Sequence, residues 1–153
     1  MSEAEYAPSP AGYVSDHVER YETSGGTDGG AMPNGAGVVI LTTVGRTTRK
    51  LRKTPLVRVT DGARYVVIAS RGGAPTHPDW YRNLVAEPEV ILQDGDAVHE
   101  MEARTVEGEE RAGLWRLAVA EWPDYASYQE NTERLIPVVV LENRSGTSGT
   151  EGV

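Results

Sequence analysis

VVILTTVGRTTRKLRKTPLVRVTDGARYVVIAS, residues 38–70, decides the fold class. Its first seven residues are mostly β-branched and lie between Gly37 and Gly45, the pattern of a buried strand. Residues 45–50 form a polar turn. Residues 51–60 read as extended chain, and Pro55, which has no N–H to give to a ladder, marks an edge or a bulge. Asp61-Gly62 is a hairpin signal, and residues 63–70 are the returning strand. Toward the C-terminus, Thr76 is placed to cap a helix over residues 78–86, with Pro78 and Asp79 suited to its first turn. Residues 89–94 and 97–106 form a second hairpin across Gly95-Asp96. Leu114, Trp115, Ala118, Val119 and Trp122 repeat at helical spacing within residues 109–122. Pro123 ends that helix, Asp124 starts another that runs to residue 132, and residues 137–141 form a last strand. Toward the N-terminus, residues 14–23 form a short helix with Val14, Val18 and Tyr21 on one face. Ser15 or Asp16 is placed to cap it, and Ser24-Gly25-Gly26 ends it. The expectation is an α+β fold: about six mainly antiparallel strands in a barrel-like sheet, with three to four helices. One domain spans residues 13–143, between a flexible N-terminal segment, 1–12, and a Gly/Ser/Thr-rich tail, 144–153.

The chain has 153 residues and no cysteine, which excludes disulfides, thiolate metal ligands, iron–sulfur clusters and a cysteine nucleophile. It has no phenylalanine either; three Trp and seven Tyr carry the aromatic surface, and their polar handles suit a pocket edge. No apolar run spans a bilayer, and residues 1–12 lack the basic start and apolar stretch of a signal peptide, so a cytoplasmic location is expected. His17, His77 and His99 lie far apart in sequence, so no metal site is expected. Dinucleotide-binding, Walker and nucleophile-elbow motifs are absent, so the chemistry of an enzyme built on this chain would belong to a cofactor.

Charge is unevenly distributed. Between residues 46 and 71, eight basic residues face one acid, a window of +7 in a chain of net −8. A basic block in an acidic protein suits a small anionic ligand, because the remainder repels a long polyanion; a solvated basic hairpin would give the same pattern. Three segments could form a site. GRTTRKLRK (45–53) offers backbone N–H groups, two hydroxyls and five cations to a phosphate or carboxylate. SRGGAPTHPDWYRNL (70–84) joins a strand end, a cation, glycines, a helix start and aromatics, which suits a flat ring with an anionic tail. The bland alternative is a tight connection with Trp80 as a core anchor. In WPDYASY (122–128), Tyr125 and Tyr128 share a helical face and could wall a pocket or simply pack.

In this order the three segments resemble the deazaflavin-dependent nitroreductase family of actinobacteria, which binds coenzyme F420. The resemblance rests on LTTVGRTTRKLRKTPL (41–56), ASRGGAPTHPDWYRNLVAEPEV (69–90) and WPDYASYQENTERLIPVVVLE (122–142). It implies a split β-barrel of the flavin-binding type. It implies cofactor contacts at Arg46, Thr47 and Thr48, and along Arg52, Lys53, Thr54, Pro55, Leu56 and Val57. Further contacts follow at Ile68, Ala69, Ser70 and Arg71, then at Asp79, Trp80, Tyr81, Arg82 and Asn83, and at Tyr125. Arg46, Arg52 and Arg71 would grip phosphate and carboxylate, with Arg49, Lys50 and Lys53 reaching the tail. It implies hydride transfer from the reduced deazaflavin to a quinone or nitro-aromatic acceptor, with Ser70, Tyr125 and Tyr128 on the acceptor side. Thr47 stands where the family often has a second cation. Val57 and Trp122 stand where its best-known nitroreductase has tyrosines.

Three other readings use the same residues: an FMN-dependent reductase on this barrel, a non-catalytic carrier or sensor of the deazaflavin, and a nucleic-acid-binding barrel. Only Tyr65 is aromatic within the basic window, too little for a stacking platform, so no nucleic-acid partner is expected. Quinones reside in membranes, so peripheral contact with the inner face of the cell membrane is compatible with the reading, although no polybasic amphipathic helix is visible.

Overall fold

The computed structural model describes Tyr6, residues 12–31 and residues 35–144. Most of the expected flexible segments 1–12 and 144–153 lies outside the described residues. The elements are α1 (Gly12–Ser24), β1 (Val38–Val44), β2 (Leu51–Val57), β3 (Tyr65–Ile68), a short 3-10 turn (Arg71–Gly73), α2 (Asp79–Ala86), β4 (Glu89–Asp94), β5 (Ala97–Thr105), α3 (Gly108–Glu121), α4 (Asp124–Glu130) and β6 (Val138–Asn143). The strands form one antiparallel six-stranded sheet in the order β2-β1-β4-β5-β6-β3.

Every expected strand and helix is present, with ends shifted by a few residues. Pro55 lies on β2, an edge of the sheet, where its missing N–H costs least. The reading of Asp61-Gly62 as a simple hairpin turn needs correction. The turn exists: the Asp61 carboxylate accepts from the N–H groups of Ala63 and Arg64. But β2 pairs with β1 and β3 with β6, so the strands flanking the turn are opposite edges of the sheet. They meet only near the turn, through the Thr60–Tyr65 bridge and Val66 N–H donating to Val59 O at 2.9 Å. The sheet therefore curls until its edges touch at one end and stay apart beyond it, which makes the barrel split. Two expected caps are also absent. Thr76 does not cap α2, whose N-cap is Pro78; its hydroxyl instead accepts from Arg71. Ser15 lies inside α1 and donates back to Gly12 O.

Burial follows from this curl. Val39, Leu41, Val67, Leu92, Met101 and Leu141 point inward, and Trp80 and Leu84 of α2 plug the interior. On the outside, α3 and α4 cover Val66, Ile68, Val138 and Val140 through Leu114, Ala118 and Tyr125. Strands β3 and β6 are thus buried on both faces, which explains why their sequences run apolar rather than alternating. Helix α1 packs Val18 and Tyr21 on Val38 and Ile40. The Tyr21 hydroxyl accepts from Gly95 N–H at 2.6 Å, tying α1 to the β4–β5 turn. No helix of the described residues is long and apolar enough to cross a membrane.

Candidate active site

Where the two sheet edges part, a cavity of about 500 Å³ opens, the size of a pocket for a drug-sized ring system. From β2 come Thr54, Pro55, Leu56 and Val57; Ile68, Ser70 and Arg71 face them. Pro78 and Trp80 form the α2 wall, and Trp122, Tyr125 and Tyr128 the α4 wall. The lining is apolar and aromatic with a few polar groups, the composition that suits a flat heterocycle. Trp80 reconciles its two readings: it is 8% exposed, anchors the inner core, and still lines the cavity.

A second, smaller cleft of about 180 Å³ is formed by Gly45, Arg46, Thr47, Thr48, Arg52, Asp79 and Asn83. The clefts adjoin along β2: Arg52 and Thr54 are two residues apart on one face of the strand, roughly 7 Å. A ring in the larger cavity can therefore carry an anionic tail into the smaller one. Asn83, 4% exposed, aims the cation there. Its side-chain oxygen accepts from Arg46 N–H at 3.1 Å and Nη1 at 2.9 Å, and its amide donates to Thr43 Oγ1 at 3.3 Å. Asp79 lies 3.5 Å from Arg46 Nη2 and neutralises part of its charge.

The basic window is less uniform in space than in sequence. Lys53 donates to Glu22 of α1 at 2.6 Å, outside both clefts. Arg49 reaches Glu87 at 3.6 Å, and Arg58 clasps Asp94. Arg52 has no hydrogen-bond or ion-pair partner among the described residues. Ala69 is fully buried in the inner core. Tyr81 bonds Thr105 and packs edge-on to His77, and neither it nor Arg82 lines a cleft.

Ser70 and Tyr125 are 7% and 6% exposed, yet neither hydroxyl bonds a described residue. Both groups line the cavity. Burial first, and then neighbouring Tyr128, push the Tyr125 phenol well above its usual range, so it stays protonated. Tyr128 meets Tyr125 ring edge to face at 6.1 Å, and Trp122 Nε1 donates to its hydroxyl at 3.4 Å. The approach of the Ser70 turn to α4 requires Gly73, whose φ is +85° and where a Cβ would lie 2.9 Å from Tyr128 O. Gly73→Ala is therefore expected to destabilise the protein by about 2 kcal/mol, read as a lowered urea midpoint.

Sequence reasoning gave no site role to His17 and Val38, which complete the large cavity; Pro78 and Gly45 fell within its candidate segments 70–84 and 45–53 but were assigned no contact. It also missed Arg134 and His77 behind the Ser70 turn. Arg134 Nη1 lies 2.8 Å from His77 Nδ1, which must accept and so be unprotonated. Burial first, then Arg134 and Arg82, lower the His77 pKa from its ordinary 6.5. A depressed native value means that the stabilisation is complete above the ordinary value and is lost as pH falls through the native one. Thermal stability is expected to drop on acidification through that range, and His77→Gln, neutral at every pH, should flatten that drop.

A family model for F420H(2)-dependent quinone reductases matches residues 13–143. The chain belongs to the F420H(2)-dependent quinone reductase family. An F420H(2)-dependent quinone reductase of Mycobacterium tuberculosis is 35% identical over 131 residues, 84% of this chain and 88% of that protein. Among solved structures, an F420-H2 dependent reductase is 49% identical with a TM-score of 0.66, covering 69% of this chain and 93% of its own. Another, described as a domain-swapped dimer, is 43% identical with a TM-score of 0.69, covering 88% of this chain and all of its own. The solved relatives share the split-barrel fold of this chain.

Proposed function

We propose that this protein reduces a quinone with F420H(2), seating the deazaflavin ring in the cavity between the sheet edges and its phosphate-bearing tail in the Arg46–Arg52 cleft. The observation that carries the reading is that the buried residues Ser70 and Tyr125 line the cavity and their hydroxyls have no hydrogen-bond partner among the described residues. When bound, the reduced cofactor supplies a hydride. The chain's part is to hold the acceptor flat against the ring, exclude water with Val57, Trp122 and Tyr128, and offer two donors to the oxygen on which charge develops. Tyr125, held protonated, acts as donor and not as base. The closing proton comes from water, because no described base backs either hydroxyl. A nitro-aromatic acceptor is a second reading, supported by the aromatic walls and by the same two donors for a nitro oxygen.

The test is oxidation of F420H(2) by the purified protein with a menaquinone analogue, followed by the return of the oxidised cofactor's absorbance. Titration of apoprotein with F420 and with FMN separates the two cofactors. Tighter FMN binding, or F420 binding without turnover across a quinone panel, would overturn the proposal.

A further inference from the structure

The Ser70 turn carries a structural problem that a single side chain solves. Ala69 O, Ser70 O and Ala74 O all point to one spot, three acceptors that repel one another. Arg71 adopts a left-handed φ of +48° and Gly73 one of +85°, so the backbone does not favour this shape by itself. Among the described residues two backbone bonds hold it, Gly73 N–H to Ser70 O at 2.9 Å and Ala74 N–H to Arg71 O at 3.1 Å, and the Arg71 side chain donates to Thr76.

Arg134 fills the spot. Its Nε donates to Ala74 O at 2.8 Å, Nη1 to Ala69 O at 3.1 Å and Nη2 to Ser70 O at 2.7 Å, while Nη1 also meets His77 Nδ1. All four partners are neutral, and no carboxylate pairs with this guanidinium among the described residues. A rigid planar fork that donates in several directions at once is a property of arginine and not of lysine. The chain around Arg134 is pinned in turn by Gln129 of α4, whose amide donates to Arg134 O at 2.8 Å and accepts from Ile136 N–H at 2.9 Å. Helix α4 also carries Tyr125 and Tyr128. One continuous set of bonds therefore joins the helix that presents Tyr125 to the turn that presents Ser70 and Arg71.

We propose that Arg134 is the positioning residue of this site: without lining the cavity, it fixes the Ser70–Ala74 turn and sets the Ser70 hydroxyl and Arg71 in register with Tyr125. Its functional consequence rests on the reading of the cavity as the F420 and quinone site; its structural consequence does not. A merely structural arginine would lower stability and leave the site's chemistry alone. A positioning arginine makes turnover depend on the fork itself.

The experiment compares Arg134→Lys and Arg134→Gly with the parent and with Met101→Val, an inner-core variant that lowers the melting temperature away from the turn. Amide hydrogen exchange at Gly73 and Ala74 reads the turn in the protein without cofactor, and F420H(2) oxidation reads function. Arg134→Lys is expected to keep the fold, lose protection at both amides, and fall about tenfold or more in turnover. Met101→Val should melt lower with turnover intact. Added guanidinium should restore turnover to Arg134→Gly, and added ammonium should not. If the two amides stay protected in Arg134→Lys, the proposal fails whatever the cofactor. If protection is lost while turnover matches the parent's, the positioning role fails. A parent protein that does not oxidise F420H(2) overturns the functional reading alone, because the exchange result stands by itself.

Discussion

Tyr125→Phe is expected to slow quinone reduction about 100-fold while the F420 dissociation constant stays within about twofold, the signature of a donor used in the transition state and not in binding. The ring is 6% exposed, packed against Trp115 at 6.4 Å and Tyr128 at 6.1 Å, so removing one oxygen leaves its packing intact. In the parent that oxygen bonds no described residue, so the substitution strands no partner and should cost little stability. What it removes is a protonated donor on a mostly apolar cavity wall, where stabilisation of a developing oxyanion is worth more than in water. Ser70→Ala tests the same role from the facing wall, and the double variant should lose less than the product of the two if both donate to one oxygen. The check is single-turnover oxidation of F420H(2) beside an equilibrium titration. Equal loss in binding and turnover would move Tyr125 from the acceptor side to the cofactor grip.

The strands and helices were legible in the sequence because each carried its own period or punctuation. VVILTTV and PVVVL read as strands, and Leu114, Ala118 and Trp122 marked α3. Sheet order was not legible. Asp61-Gly62 is as strong a local hairpin signal as a sequence carries, yet only two rungs form, because β3 gains more from β6 and the cover of α3 than from extending along β2. The aromatic walls and Ser70 came from the segments that also carry the family resemblance. Arg134 was hidden for a physical reason: three of its partners are backbone carbonyls 60 to 65 residues away, which leave no mark on a sequence, and the fourth is the His77 ring nitrogen, 57 residues away. His17 was hidden likewise, since its place beside the cavity depends on α1 docking onto β1 and β2 and on its ring nitrogen meeting Gly29 O at 2.7 Å.

The charge block was legible as a sum, and the structure divides it among separate partners. If +7 acted as a diffuse field, removing any one cation would weaken cofactor binding alike. The geometry says otherwise. Lys53 is 2.6 Å from Glu22 on the α1 side of β2, and its charge is spent there. Arg46 is shared among Asn83 and Asp79. Arg52 faces the cleft beside Thr47 and Thr48 with no hydrogen-bond or ion-pair partner among the described residues, so an arriving phosphate displaces no ion pair to reach it. Arg52→Ala is therefore expected to raise the F420 dissociation constant about 10- to 100-fold at low ionic strength, the scale of a charge-assisted hydrogen bond. Lys53→Ala should change it by less than about twofold, since its charge is paired with Glu22 outside both clefts. Salt should weaken binding to the parent more than to Arg52→Ala, because the variant has lost a charge that salt would screen. Isothermal titrations at two salt concentrations decide it. Equal losses for Arg52→Ala and Lys53→Ala would restore the diffuse field, and a salt-independent parent would remove the anion cleft from the cofactor site.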